Sequence, residues 1–216
     1  TWVRVGMTET CREACPPSPA SAVRAAISAT RMVSESLGST TISAAKQLTA
    51  AYAPLGAVMV PENIYQAYVD HSAKIGTFGH GNTYAGHPVG CAVAVKTLEI
   101  YQRDKIVDHV EKVSPTFLRR LSKLNDHPLV GEAKGVGLIG GAELVKDKQT
   151  KASFDVKKGV GAKAVAYALE EGFITRAMGD RLAFCPPLVI NEAEIEEMFN
   201  RCERALDKTL NWAKAD

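Results

Sequence analysis

The stretch TTISAAKQLTAAYAPLGAVMV, residues 40–60, decides how the rest of the chain is read. It sets one lysine, Lys46, in an Ala- and Thr-rich text that ends in LGAVMV (55–60), between Pro54 and Pro61. A short apolar run bounded by such breakers predicts a buried strand. A lysine close to a buried strand is unusual, because burying an ammonium is costly. Burial also favours the neutral amine, the form that condenses with a carbonyl to give an imine. The alternative is a solvated surface lysine.

Working downstream, Pro61 suits a helix first turn, and ENIYQAYVDHSA (62–73) follows as a helix. The Gly-rich loop GTFGHGNTYAGHP (76–88) comes next, then a helix over 88–104 whose small apolar residues predict burial on nearly every side. A helix over 104–124 contains Pro115 and is expected to kink or break near Ser114. VGLIGGAELV (136–145) reads as a strand, 157–172 as a helix ended by Gly172, and 173–178 and 181–188 as strands around the Gly179–Asp180 turn. A final helix over 191–213 has Asn191 as its cap and Glu194 completing a capping box. From residue 104 onward this order describes a compact α+β unit.

Upstream the text differs. Residues 1–40 show no period, and CPPSPAS (15–21) breaks both helix and strand. No Lys, Asp or His precedes Lys46. Residues 1–39 are therefore expected to be an atypical segment, of the kind that a shifted reading frame produces.

The chain has 216 residues, 46% hydrophobic and 23% charged, with a formal charge of +2. That is globular composition, and the even charge balance offers no footprint for nucleic acid or an anionic membrane. No apolar run approaches the roughly 18 residues of a membrane helix, and the first residues lack a signal-peptide layout. Five cysteines, an odd count without pairing spacing, predict a reduced, cytoplasmic protein.

Three places can carry chemistry. Lys46 is the first. In HGNTYAGHP (80–88), glycines allow close backbone approach, Thr83 offers a hydroxyl, and the loop runs into a helix N-terminus at Pro88, which suits a phosphate. The alternative is an ordinary Gly-rich connection. Arg176 in FITRAMGD, among apolar neighbours, suits a carboxylate held by two parallel hydrogen bonds, the alternative being a structural ion pair. Gly135 to Gly140 matches G-x-G-x-x-G but is followed by strand-like text, so it is not a dinucleotide fingerprint. Cys11 and Cys15 have no second pair at metal spacing, and no metal is expected.

AAKQLTAAYAPLGAV, HGNTYAGHPVGCAVA, HPLVGEAKGVGLIGGAELV and GFITRAMGDRLAFCPPLVI occur in one order. In that order they resemble the class III pyridoxal-phosphate aminotransferases, the group with ω-amino acid and amine–pyruvate transaminases. The resemblance spans about residues 40–212. It implies an α/β fold, the C-terminal part of a fold type I PLP-dependent transferase. Residues 40–103 would be a remnant of the large PLP-binding domain and 104–216 a small C-terminal α+β domain. It implies pyridoxal 5'-phosphate as cofactor, Lys46 as the Schiff-base lysine, Thr83 with Asn82 at the cofactor phosphate across a homodimer interface, and Arg176 at the substrate carboxylate. The implied reaction is a ping-pong transfer from an amine or ω-amino acid to a keto acid such as pyruvate.

Members of the family also carry, upstream of the lysine, an Asp that pairs with the pyridine nitrogen; before Lys46 this chain has only Glu9, Glu13 and Glu35 as acids. A truncated, non-catalytic fragment and a related aminomutase stay open as alternatives. Without its sheet partners the 41–100 region is expected to expose apolar surface and to aggregate.

Overall fold

The computed structural model describes residues 42–60, 62–76, 79, 81, 83 and 85–215. The expectations for residues 1–39, including the breaker cluster and the Cys11–Cys15 spacing, lie outside the described residues, and so does Asn82. The chain divides into two compact units, residues 1–105 and 106–216.

In the first unit, β1 (Ile42–Ala45) pairs antiparallel with β2 (Gly56–Met59), in a register running from Ile42 opposite Met59 to Ala45 opposite Gly56. A 3₁₀ turn, Lys46–Thr49, follows β1 directly. Thr49 is buried, and its hydroxyl donates to the Ala53 carbonyl at 2.6 Å, which closes the loop on itself. Helix α1 (Glu62–Ile75) follows, and helix α2 (Pro88–Arg103) opens with Pro88 in its first turn, where a missing N–H costs nothing. α2 packs on the 3₁₀ turn, and Tyr101 Oη donates to Gln47 Oε1 at 3.0 Å.

Two expectations are corrected here. The run at 55–60 is not a buried strand: Val58 in β2 is 54% exposed, because only β1 pairs with it among the described residues. Likewise α2 is not buried all round. It buries Gly90, Ala94, Thr97 and Leu98 along one stripe and leaves Val89 exposed.

The second unit is a four-stranded antiparallel sheet with helices on one face. Helix α3 (Ile106–Lys123) leads to β3 (Val130–Val136) and β4 (Ile139–Leu144). Helix α4 (Val160–Glu170), β5 (Arg176–Met178), β6 (Arg181–Phe184) and helix α5 (Glu192–Ala215) follow. The strand order is β3-β4-β6-β5. Ala133, Ala142, Leu144, Leu182 and Phe184 face a core filled by Phe117, Leu121, Ile195, Phe199 and Leu206. Phe199 meets Phe117 edge-on at 5.4 Å and stacks on Phe184 at 5.5 Å. Arg120 of α3 is buried beside this core. Its guanidinium reaches Glu196, Asn200 and Glu203 on α5 and lies over the Phe199 ring, while its Nε has no partner.

The opposite face carries Lys134, Gly141, Ala183 and Arg176, in register across all four strands, with Glu132, Glu143, Arg181 and Met178 in the adjacent row. These positions are half-buried or exposed, the alternation expected of a sheet solvated on one side.

Local chemistry explains most element ends. Asn191 N–H donates to Glu194 Oε2 at 2.9 Å and Glu194 N–H to Asn191 Oδ1 at 3.0 Å, so the capping box forms. α4 ends on Gly172, at φ +72°, with Gly172 N–H bonded to Leu169 O and Phe173 N–H to Ala168 O, a Schellman motif. Phe173 is taken up by that cap, and β5 begins at Arg176 rather than at 173.

Three differences from expectation have physical causes. α3 continues through Pro115, which stays on the exposed side while Val113, Phe117, Arg120 and Leu121 anchor both halves of the helix. The text at 136–145 is not one strand but the end of a hairpin. Gly137, at φ +58°, turns the chain between β3 and β4. Helix α4 starts at Val160, after a 3₁₀ turn over Val156–Lys158 and the left-handed Gly159.

The glycines at 135 and 140 serve packing. A Cβ on Gly135 would lie 2.3 Å from the Ile139 carbonyl, and one on Gly140 would lie 2.5 Å from a Leu121 methyl.

Candidate functional site

Lys46 begins the turn that follows β1. Its φ is +54°, and Ala50 and Ala51 are also left-handed at +47° and +64°. Each such residue costs roughly 1–2 kcal/mol relative to the right-handed region. Three within six positions mark a backbone held against its preference, and strain of this kind concentrates at functional sites. Two backbone bonds hold the turn: Ala50 N–H to Gln47 O at 3.2 Å and Ala51 N–H to Lys46 O at 3.3 Å. The side chain is exposed, the solvated placement that the sequence also allowed. Among the described residues no carboxylate pairs with it.

Thr83 lies exposed in the turn before α2. Gly86, at φ +68°, lets the chain swing into the helix, and Gly90 in its first turn is buried against Leu55. Lys46 and Thr83 thus belong to the unit of residues 1–105, and Arg176 to the unit of residues 106–216.

Arg176 sits on β5, the edge strand, opposite Ala183. Its side chain is exposed and donates through Nη2 to the Met178 sulfur at 3.2 Å. Every other described arginine has a carboxylate partner: Arg103 with Asp104, Arg119 and Arg120 with Glu196, Arg181 with Glu143, Arg201 with Glu197 and Arg204 with Glu171. Among the described residues Arg176 alone has none, which disfavours the structural ion pair weighed from sequence. A cavity of about 500 Å³ lies alongside, lined by Thr175, Arg176 and Asp180 together with apolar residues of α4 and its approach.

Sequence reasoning missed Asp180 and Gly161. The Gly161 N–H, in the first turn of α4, donates to Asp180 Oδ1 at 2.8 Å. A Cβ on Gly161 would lie 2.0 Å from the Gly179 carbonyl. The signal present in the text was the Gly179–Asp180 turn, read only as a turn.

Cys202 offers no ready thiolate: burial pushes its thiol up to about 12. Among the described residues no group of three or more His, Cys, Asp or Glu could hold a metal ion, and no helix is long and apolar enough to cross a membrane.

A family model described as Aminotransferase class-III matches residues 39–206. The chain is 42% identical over 168 residues to a rice protein named Gamma-aminobutyrate transaminase 1, mitochondrial, covering 78% of this chain and 33% of that one. It is 42% identical over 166 residues to the Putrescine–pyruvate aminotransferase of Pseudomonas aeruginosa, covering 76% and 35%. Among solved structures, one described as a transaminase with L-ala superposes with a TM-score of 0.77 at 41% identity, over 83% of this chain and 43% of that chain. Another, the PMP-bound form of an aminotransferase from Vibrio fluvialis, has a TM-score of 0.77 at 34% identity, over 83% and 40%. The chain spans about a third of the length of the curated relatives it matches, and the fold described above is a part of the transaminase fold.

Proposed function

The chain belongs to the class-III aminotransferases, and from that premise we propose that it carries the lysine-bearing part of an enzyme that moves an amino group from an amine or ω-amino acid to a keto acid. Pyruvate fits as acceptor, the name of the Pseudomonas relative supporting it. In this reading residues 40–103 belong to the cofactor-binding domain, 104–216 form the small domain, and 1–39 stand outside both. A reducing, cytoplasmic setting belongs to the same reading, although several plant relatives carry mitochondrial or chloroplastic names.

Pyridoxal phosphate is the cofactor that the family implies, and the donors present fit two of its three handles. A primary amine at Lys46 suits its aldehyde, and the Thr83 hydroxyl, with Asn82 beside it, suits its phosphate. The third handle, the ring nitrogen, finds no Asp before Lys46. When bound, the cofactor supplies an aldehyde for the donor amine and a ring that takes up the electron pair released at the substrate carbon. Lys46 would anchor it from the turn after β1, and its Nζ, when free, would take and return a proton at the substrate carbon. Thr83 and Asn82 would hold the phosphate, in a homodimer that shares the site. Arg176 would orient the substrate by its carboxylate and swing aside for a donor lacking one.

The observation that carries this reading is the vacancy of Arg176. An exposed guanidinium with no carboxylate partner among the described residues, next to Ala183 and Gly141 in its row across the sheet, leaves room for an external one. The test is an absorbance spectrum of the purified chain with pyridoxal phosphate, before and after borohydride, alongside Lys46→Ala. A visible band fixed by reduction to Lys46 is expected. No band, or an equal band in the variant, overturns it.

A second reading, a non-catalytic fragment, is favoured by the exposure of Lys46 and Val58. That reading predicts the negative result.

A further inference from the structure

Arg176 and Asp180 line one cavity, four positions apart across the tip of the β5–β6 hairpin, yet Arg176 donates to the Met178 sulfur and Asp180 accepts from Gly161 rather than pairing with each other. A carboxylate on a neighbouring turn is an obvious competitor for any ligand of Arg176. Three features hold it elsewhere. The Gly159 cap of α4 has no side chain, and one first-turn N–H, that of Gly161, takes its acceptor from across the fold, Asp180 Oδ1 at 2.8 Å. The helix dipole favours the charged carboxylate at that place. The Asp180 backbone is fixed as well, since its carbonyl accepts from Leu144 N–H at 2.8 Å. Contact is this close only because residue 161 is glycine.

We propose that Asp180 is a positioning residue whose carboxylate is sequestered by the start of α4, leaving Arg176 vacant for a substrate carboxylate. The proposal rests on the reading of Arg176 given above. Replacing the clamp by a carboxylate free to reach Arg176 would occupy the arginine from within and exclude substrate.

The test is the rate at which phenylglyoxal modifies Arg176 in the purified chain, followed by peptide mass mapping. Asp180→Asn keeps an acceptor for Gly161 and is expected to leave the rate unchanged. Asp180→Glu carries its charge one methylene further, out of the Gly161 contact, and is expected to slow Arg176 by about two- to fivefold, the occupancy an exposed ion pair gives. Gly161→Ala, which pushes the turn off the helix, is expected to do the same, and adding Asp180→Asn to it should restore the rate.

Arg201 and Arg204, held by Glu197 and Glu171, report on folding. If they also speed up in Gly161→Ala or Asp180→Glu, that variant has lost the fold, and Asp180→Asn decides. Faster modification of Arg176 alone in Asp180→Asn means that Asp180 already shields it, and overturns the proposal. Equal rates in folded Asp180→Glu and Asp180→Asn overturn it too. Saturable protection of Arg176 by pyruvate is scored separately. Slowing in Asp180→Glu without pyruvate protection leaves the clamp standing and removes the carboxylate-binding reading; protection without slowing does the reverse.

Discussion

His127 shows how much one side chain can be asked to do. Its Nδ1 accepts the Leu129 N–H at 3.1 Å, and its Nε2 lies 3.3 Å from Asp207. Burial lowers its pKa below the usual imidazole value, against the opposing pull of Asp207. The unfolded chain therefore takes up a proton at a higher pH than the folded one. Stability should be level well above pH 6.5 and fall as pH drops below it, until the folded form also titrates. A His127→Gln variant melted across pH 5–8 should show a flatter profile than the parent. Lys46→Ala belongs to the same scale: loss of the reducible cofactor band is expected with no change in melting, since the Lys46 side chain is exposed. Lys46, Thr83 and Arg176 were legible in the sequence because each stands in a distinctive local text. Asp180 was not, because its meaning lies in a hydrogen bond to a residue nineteen positions earlier. Arg176 was legible as an arginine but not as an unpaired one, which takes the positions of every neighbouring acid to see.

Secondary-structure elements divide in a similar way. Helix ends written in local chemistry were readable, as at Asn191, Gly172 and Pro88. Asn191→Ala should cost about 1 kcal/mol, the usual worth of such a cap, seen as a lower urea midpoint at unchanged slope. Strand β3 was not readable. Its register shifts between Val130 and Glu132, and a Cβ at the intervening Gly131 would lie 2.6 Å from a Val145 methyl, so apolar alternation is broken where a reader looks for it. The glycines at 135 and 140 misled in another direction, since their spacing imitates a nucleotide motif while their neighbours are the Ile139 backbone and the Leu121 side chain. Gly140→Ala should therefore destabilise by about 1–3 kcal/mol through overpacking, with no effect on any nucleotide titration. Strand β1 also escaped notice, being four residues of small and β-branched text beside a turn.

At the scale of the whole molecule the two units differ in how much apolar surface they hide. The unit of residues 106–216 buries Phe117, Phe184, Phe199, Leu121 and Ile195 almost completely, whereas among the described residues up to 105 the buried apolar side chains are Ala94 and Leu98, and Tyr52 is 87% exposed and Ile75 72%. Amide exchange should accordingly show strong protection in α3, β4 and α5 and little in β1 and β2. Uniform protection across both units would contradict this. The aggregation expected from the sequence has a structural counterpart in those exposed residues, and it should appear as binding of a hydrophobic dye by the intact chain. The Arg120 network has one more implication. It joins α3, the first element of its unit to be synthesised, to Glu196, Asn200 and Glu203 on α5, the last. On a ribosome, then, α3 emerges with a charged guanidinium and the Phe117 ring whose partners are still being decoded. The nascent unit must wait for its final helix to clear the exit tunnel before its core can close, and until then the chaperones that meet it see an unfinished sheet with one side uncovered.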